Sequence, residues 1–163
     1  MKDVKGKLFW KVDSITQKIT CLTMDESIEY YNFLKKCHSD GFRQIIVTSE
    51  IMIKLIEYFV LESNYTLYSI DFMEEDKELE EEIQSLLEMC SNNVAYLSKV
   101  IEKLHFLSEK SSIDIQRIYF KGRDAENNAI KYFIQSNGIV GINEKHFLPI
   151  SKEISNLIER CLF

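Results

Sequence analysis

The chain has 163 residues, 45% hydrophobic and 28% charged, with 20 Lys and Arg against 26 Asp and Glu for a formal charge of −6. That length can bury a self-sufficient core, and the composition is that of a globular chain, not a disordered one. Apolar runs such as Ile51 to Val60 are interrupted by Lys54 and Glu57, so none nears the ~20 residues that a membrane-spanning helix needs.

A single domain over residues 1–163 is therefore expected. The opening Met1-Lys2-Asp3-Val4-Lys5 leads into charged, strand-like sequence without the apolar core of a secretory signal, which predicts a cytoplasmic location. Cys21, Cys37, Cys90 and Cys161 lie far apart with no C-x-x-C pair, and read as reduced, mostly buried small hydrophobes. The prevalence of Ile, Lys, Glu, Asn and Ser gives the chain a bacterial or phage flavour.

Lys7 to Val12 and Lys18 to Leu22 are apolar-rich runs joined by Asp13 to Gln17, which predicts a β-hairpin. Thr23 with Glu26 three residues on forms a capping box, followed by Ile28, Tyr31, Phe33, Leu34 and Cys37 at helical spacing. That helix should end before Ser39-Asp40-Gly41. Gln44 to Val47 reads as a strand, Thr48 and Ser49 as N-caps of a helix carrying Ile51, Leu55, Ile56, Phe59 and Val60, and Tyr65 to Phe72 as a half-buried strand. Two strands flanking a helix allow a βαβ unit.

From Asp76 to Glu109 the pattern is helical throughout, with Leu79, Ile83, Leu86, Cys90, Val94, Leu97, Ile101 and Leu104 along one side. One straight helix of that length would reach about 50 Å at 1.5 Å per residue, too long for a chain this size to cover. Either Ser91-Asn92-Asn93 divides it into a hairpin, with Ser91 or Asn92 as the new N-cap, or one helix projects to find a partner, including a second copy. Beyond Ser112, Ile115 to Lys121, Ala129 to Gln135 and Ile139 to Ile142 read as a meander, and Pro149 opens a last amphipathic helix. The fold class expected is α+β: an antiparallel or mixed sheet, helices on one face, and the long helical region of residues 76–109.

No G-x-x-x-x-G-K-[ST], G-x-S-x-G or G-x-G-x-x-G is present, and no cofactor is expected. Trp10 and the many Tyr and Phe are expected in the core. The most unusual feature is an acidic stretch, Glu74, Glu75, Asp76, Glu78, Glu80, Glu81, Glu82 and Glu88 against one Lys77. Carboxylates in a first helical turn interact favourably with the helix dipole; those beyond it repel at i,i+3 and i,i+4 spacing. The surplus points to a partner with a basic surface, met by Glu74, Glu75, Glu78, Glu81 and Glu82. The reading that ranks first is thus a non-enzymatic interaction or regulatory protein, such as an accessory subunit, inhibitor or immunity-type protein.

Two alternatives follow from other residues. Glu50, Asp71 and Glu75 come from separate elements and would serve a metal-dependent nuclease or phosphotransferase if they converged, since Mg²⁺ takes oxygen ligands. Arg117, Tyr119, Lys121 and Arg123 put cations and an aromatic on a meander, as a small nucleic-acid-binding module would, although the net negative charge disfavours one. His38, His105 and His146 show no metal-ligand spacing, and Thr48-Ser49 fits simple capping better than anion binding.

Overall fold

The computed structural model describes residues 2–11 and 18–163. Five α-helices and seven strands make up the described chain, and every strand pairing whose register is defined runs antiparallel. The class is α+β. The chain divides into two compact units, Met1–Ile46 with Asn137–Phe163, and Val47–Ser136. Among the described residues, no helix is long and apolar enough to cross a membrane.

In the first unit β1 (Asp3–Lys11) is central. One edge pairs with β2 (Ile19–Thr23), from Gly6 opposite Thr23 to Trp10 opposite Ile19. The other edge is shared: β7 (Ile139–Asn143) takes Asp3 to Lys7, and β3 (Phe42–Gln44) takes Phe9 to Lys11. The expected first hairpin is present, although Val12 and its turn, Asp13 to Gln17, lie outside the described residues. Thr23 belongs to the β2 ladder and cannot cap a helix. Instead α1 (Tyr30–Ser39) follows a turn in which Asp25 accepts the Ser27 amide at 2.9 Å, and its N-cap Glu29 makes no side-chain bond. Phe9 gathers Phe33 and Phe42, with ring centroids 6.1 and 6.0 Å away, and Cys37, Leu22 and Met24 complete that cluster.

The predicted strand over Gln44 to Val47 is displaced towards the N-terminus. The β1 edge accepts Phe42 to Gln44, and Ile46 is left 73% exposed. Because β3 pairs with β1 while the next strand pairs elsewhere, there is no βαβ unit between them. After a short 3₁₀ turn, α5 (Phe147–Leu162) buries Ile150, Ile154, Leu157 and Ile158. Gly6 allows close approach here: a Cβ would lie 2.7 Å from Cys21 Sγ and 2.8 Å from Phe147 Cζ.

Lys7 has no exposed surface, which its place in an N-terminal run of lysines conceals. Its ammonium donates to the Asn137 carbonyl and lies 5.9 Å from the Phe9 ring centroid and 5.8 Å from that of Tyr30. Burial lowers its pKa to about 8, against a smaller opposing effect of Cys37.

The second unit pairs β4 (Thr66–Phe72) with β5 (Ile115–Arg123), and β5 with β6 (Ala129–Gln135). Helix α2 (Ser49–Leu61) buries Ile51, Met52, Ile53, Leu55, Ile56 and Phe59, a wide apolar face that leaves only the stripe of Glu50, Lys54, Glu57 and Leu61 exposed. Thr48 caps it by accepting the Ile51 amide at 3.3 Å. Phe59 is fully buried, 5.2 Å from Phe120 and 5.3 Å from Tyr132. That contact assigns Phe120, and by alternation Ile118, to the helix-covered side of β5.

The long helical region is a hairpin. α3 (Lys77–Asn92) ends at Asn93, a 3₁₀ turn covers Val94–Tyr96, and α4 (Leu97–Lys110) returns. The new cap is Asn93, whose side chain accepts the Ala95 amide at 3.0 Å, in place of Ser91 or Asn92. Breaking the helix also changes which residues are buried, Leu79, Ile83, Leu87 and Cys90 on α3 and Leu97, Val100, Leu104 and Leu107 on α4, while Leu86 is only half-buried and Val94 is 51% exposed.

Candidate functional site

Helix α3 places its apolar residues inward and its carboxylates outward. Glu74 and Glu75 sit in the turn after β4, and Asp76 caps the helix by accepting the Leu79 amide at 3.1 Å. Glu78, Glu80, Glu81 and Glu82 are all exposed over the first turns. Glu82 reaches Lys103 of α4 at 3.2 Å; among the described residues, Glu74, Glu75, Glu78 and Glu81 have no ion-pair partner. The second unit as a whole holds nine Lys and Arg against seventeen Asp and Glu.

At the far end of the same hairpin, a groove of about 450 Å³ lies between the end of α2 and the start of α4. Leu61, Val94, Leu97 and Ile101 form its apolar surface, with Glu57 and Glu102 at its sides. Leu61 is 55% exposed. Helical periodicity places Val94 and Ile101 on the apolar side of residues 76–109; the 3₁₀ turn at Val94–Tyr96 interrupts that side, and both line this groove.

The opposite face of the unit's sheet carries different chemistry. Alternation with buried Ile70 and Phe72, Ile118 and Phe120, and Tyr132 and Ile134 turns Asp71, Arg117, Tyr119, Lys121, Lys131, Phe133 and Gln135 away from α2. The guanidinium carbon of Arg117 lies 4.3 Å from the centroid of the Phe133 ring. Gln135 holds it by accepting from both Nε, at 2.9 Å, and Nη2, while Nη1 donates to the Tyr119 hydroxyl at 3.1 Å. Tyr119 donates in turn to Asp71 at 2.6 Å. Burial, and then that hydrogen bond, raise the Tyr119 pKa above the usual phenol value. Tyr68 extends the row of rings, 5.8 Å from Tyr119, with Lys121 and Lys131 at 5.5 and 5.7 Å from its own centroid. Arg123, at the strand end, donates to the Asn127 carbonyl at 3.0 Å and belongs to the turn.

Glu50, Asp71 and Glu75 do not converge. Glu50 faces Lys54 along α2 at 3.8 Å, Asp71 is engaged by Tyr119 on the sheet face away from α2, and Glu75 is exposed in a turn. No group of three or more His, Cys, Asp or Glu among the described residues is arranged to hold a metal ion.

The remaining candidates have structural partners. Ser49 donates to Asp114 at 2.8 Å and accepts the Ile115 amide at 3.0 Å, joining α2 to β5 instead of capping the helix. His38 is exposed, His105 lies 3.6 Å from Glu109, and His146 is buried with its Nδ1 2.6 Å from the Asn143 amide nitrogen. The cysteines are free thiols, Cys37 and Cys90 buried, and burial pushes the Cys21 thiol up to about 12. Trp10, expected in the core, is half-exposed beside Ile46 and Phe163.

Comparisons with protein-family models, with curated proteins and with solved structures find no match to this chain.

Proposed function

We propose that the protein is a non-enzymatic interaction or regulatory protein, an accessory subunit, inhibitor or immunity-type protein of a bacterial or phage system, acting in the cytoplasm. The α3–α4 hairpin meets a partner with a basic surface. Carboxylates of α3 steer the encounter, and the groove beside Val94 and Ile101 supplies apolar contact. The observation that carries this reading is the division of labour on α3. Leu79, Ile83, Leu87 and Cys90 hold the helix in the unit, while Glu74, Glu75, Glu78 and Glu81 are exposed without ion-pair partners among the described residues. Free cysteines support the reducing compartment.

An amphipathic Leu/Lys helical peptide serves as the probe, with a Leu/Glu peptide of identical apolar face as the control. Fluorescence anisotropy at low salt should show binding of the Leu/Lys peptide alone. Glu78→Lys, Glu81→Lys and Glu82→Lys together should weaken it about tenfold, the ~1.4 kcal/mol that corresponds to that factor, and the difference should shrink as salt screens it. Equal affinity of wild type and triple variant, both folded by circular dichroism, would sink the proposal. A second copy is the competing occupant of the groove, and sedimentation of the wild type against Leu61→Asp distinguishes it.

A further inference from the structure

We propose that the sheet face of β4, β5 and β6 turned away from α2 binds a short run of single-stranded nucleic acid. A solvated strand face can be filled by polar residues alone. This one instead carries three aromatic rings in a row across three strands, Tyr68 to Tyr119 at 5.8 Å and Tyr119 to Phe133 at 6.0 Å. Bases stack on such rings whatever their sequence, and also on the plane of a guanidinium.

Arg117 provides that plane. Phe133 backs it at 4.3 Å, and Gln135 and Tyr119 fix its orientation, so the stacking surface exists before any ligand arrives. Little side-chain freedom is left to lose on binding, which is how a preorganised site gains affinity. Beside the rings, the exposed Lys121 and Lys131 place two ammonium groups within reach of phosphates. The carboxylate on this face, Asp71, accepts the Tyr119 proton at 2.6 Å and serves to position that ring.

The acidic character of the unit limits affinity without removing the site. Its densest carboxylates are exposed on α3 and not on this sheet face, and salt screens the field of such solvent-exposed charges. Two lysines and one arginine set the electrostatic contribution: log K should fall with log salt at a slope of about −2, from ~0.7 per phosphate on a single strand. Tyr68, Tyr119 and the Arg117 plane backed by Phe133 offer two or three stacking positions, so a strand should be favoured over a lone nucleotide.

Anisotropy of fluorescein-labelled dT12 and U12 in 20–200 mM salt tests this directly. Wild type should bind either strand, with Tyr68→Ala weakening it about tenfold and Tyr68→Phe restoring it. Lys121→Ala with Lys131→Ala should flatten the salt slope by about 1.4; both positions are exposed, so the fold survives and a thermal melt verifies it. Absence of binding, indifference to Tyr68→Ala, or equal affinity for a 12-base-pair duplex overturns the proposal. So does competition by UMP at concentrations matching those of U12. None of these readouts involves α3, so failure here leaves the acidic-partner reading standing, and the reverse holds.

Discussion

Replacing Lys7 with methionine removes an ammonium that the fold buries completely, and the consequence is a defined change in the pH dependence of stability. Its folded pKa of about 8 lies below the ordinary 10.5. Between these values the unfolded chain holds a proton that the native one has released, so stability rises with pH. At about pH 7 and below both states are protonated and the contribution is nearly flat. From pH 8 to 9 the native lysine goes from half to about nine-tenths deprotonated while the unfolded one stays charged. Integrating at ~1.4 kcal/mol per unit gives a rise of about 1 kcal/mol over that interval. Urea denaturation of wild type and Lys7→Met, at pH 7, 8, 8.5 and 9, isolates the effect as a difference between two curves. The Cys21 thiol, pushed up to about 12, lowers stability as pH climbs past its ordinary value of 9, but it does so in both proteins and cancels. The absolute offset at pH 7 also reflects the lost bond to the Asn137 carbonyl and carries no weight. A wild-type-minus-variant difference that stays level between pH 8 and 9 would refute the reasoning.

Three further outcomes test the packing. Gly6→Ala forces a methyl against Cys21 Sγ and the Phe147 ring, and should cost about 1–3 kcal/mol in denaturant titration; a neutral result would mean β1 and α5 can separate freely. Ser49→Ala leaves the Ile115 amide without its acceptor, costing about 1–3 kcal/mol, and hydrogen exchange at Ile115 should accelerate, whereas unchanged protection would remove the role given to that hydroxyl. Asn93→Ala deletes the cap between α3 and α4 and should lower stability by about 1 kcal/mol, with an unshifted melting temperature counting against the cap.

Most elements were legible where one physical demand dominated. β5 and β6 alternate cleanly because α2 covers one side only, and the length of residues 76–109 left either a break at Ser91-Asn92-Asn93 or a projecting helix, of which the structure has the break. Failures arose where partners decided between equal local signals. Thr23 has the form of a cap, but the β1 ladder claims it; Ile45 to Val47 have the composition of a strand, but β1 takes Phe42 to Gln44. The burial of Lys7 is not legible locally because it depends on Tyr30 and on the Asn137 carbonyl, 130 positions away. The acidic stretch is visible in composition alone, whereas the groove needs Leu61 and Val94 brought together across 33 positions. Arg117, Tyr119 and Lys121 were recognisable by their alternation, but Tyr68 and Phe133 joined them only through strand pairing. Convergence of Glu50 with Asp71 failed for the same reason: the face on which Asp71 lies is set by the ladder, not by its neighbours in sequence.

The division of the chain also affects how it is made. Residues 47–136 are contiguous, but β1 waits for β7, which begins at Ile139, to complete its second edge. At ~5–20 residues per second, roughly 6–25 s of synthesis separate the two strands. By the time β7 is made, residues 47–136 have all been translated, while β1 has had only β2 and β3. Vectorial synthesis therefore favours maturation from the middle outward, with the first strand translated among the last to be fully paired.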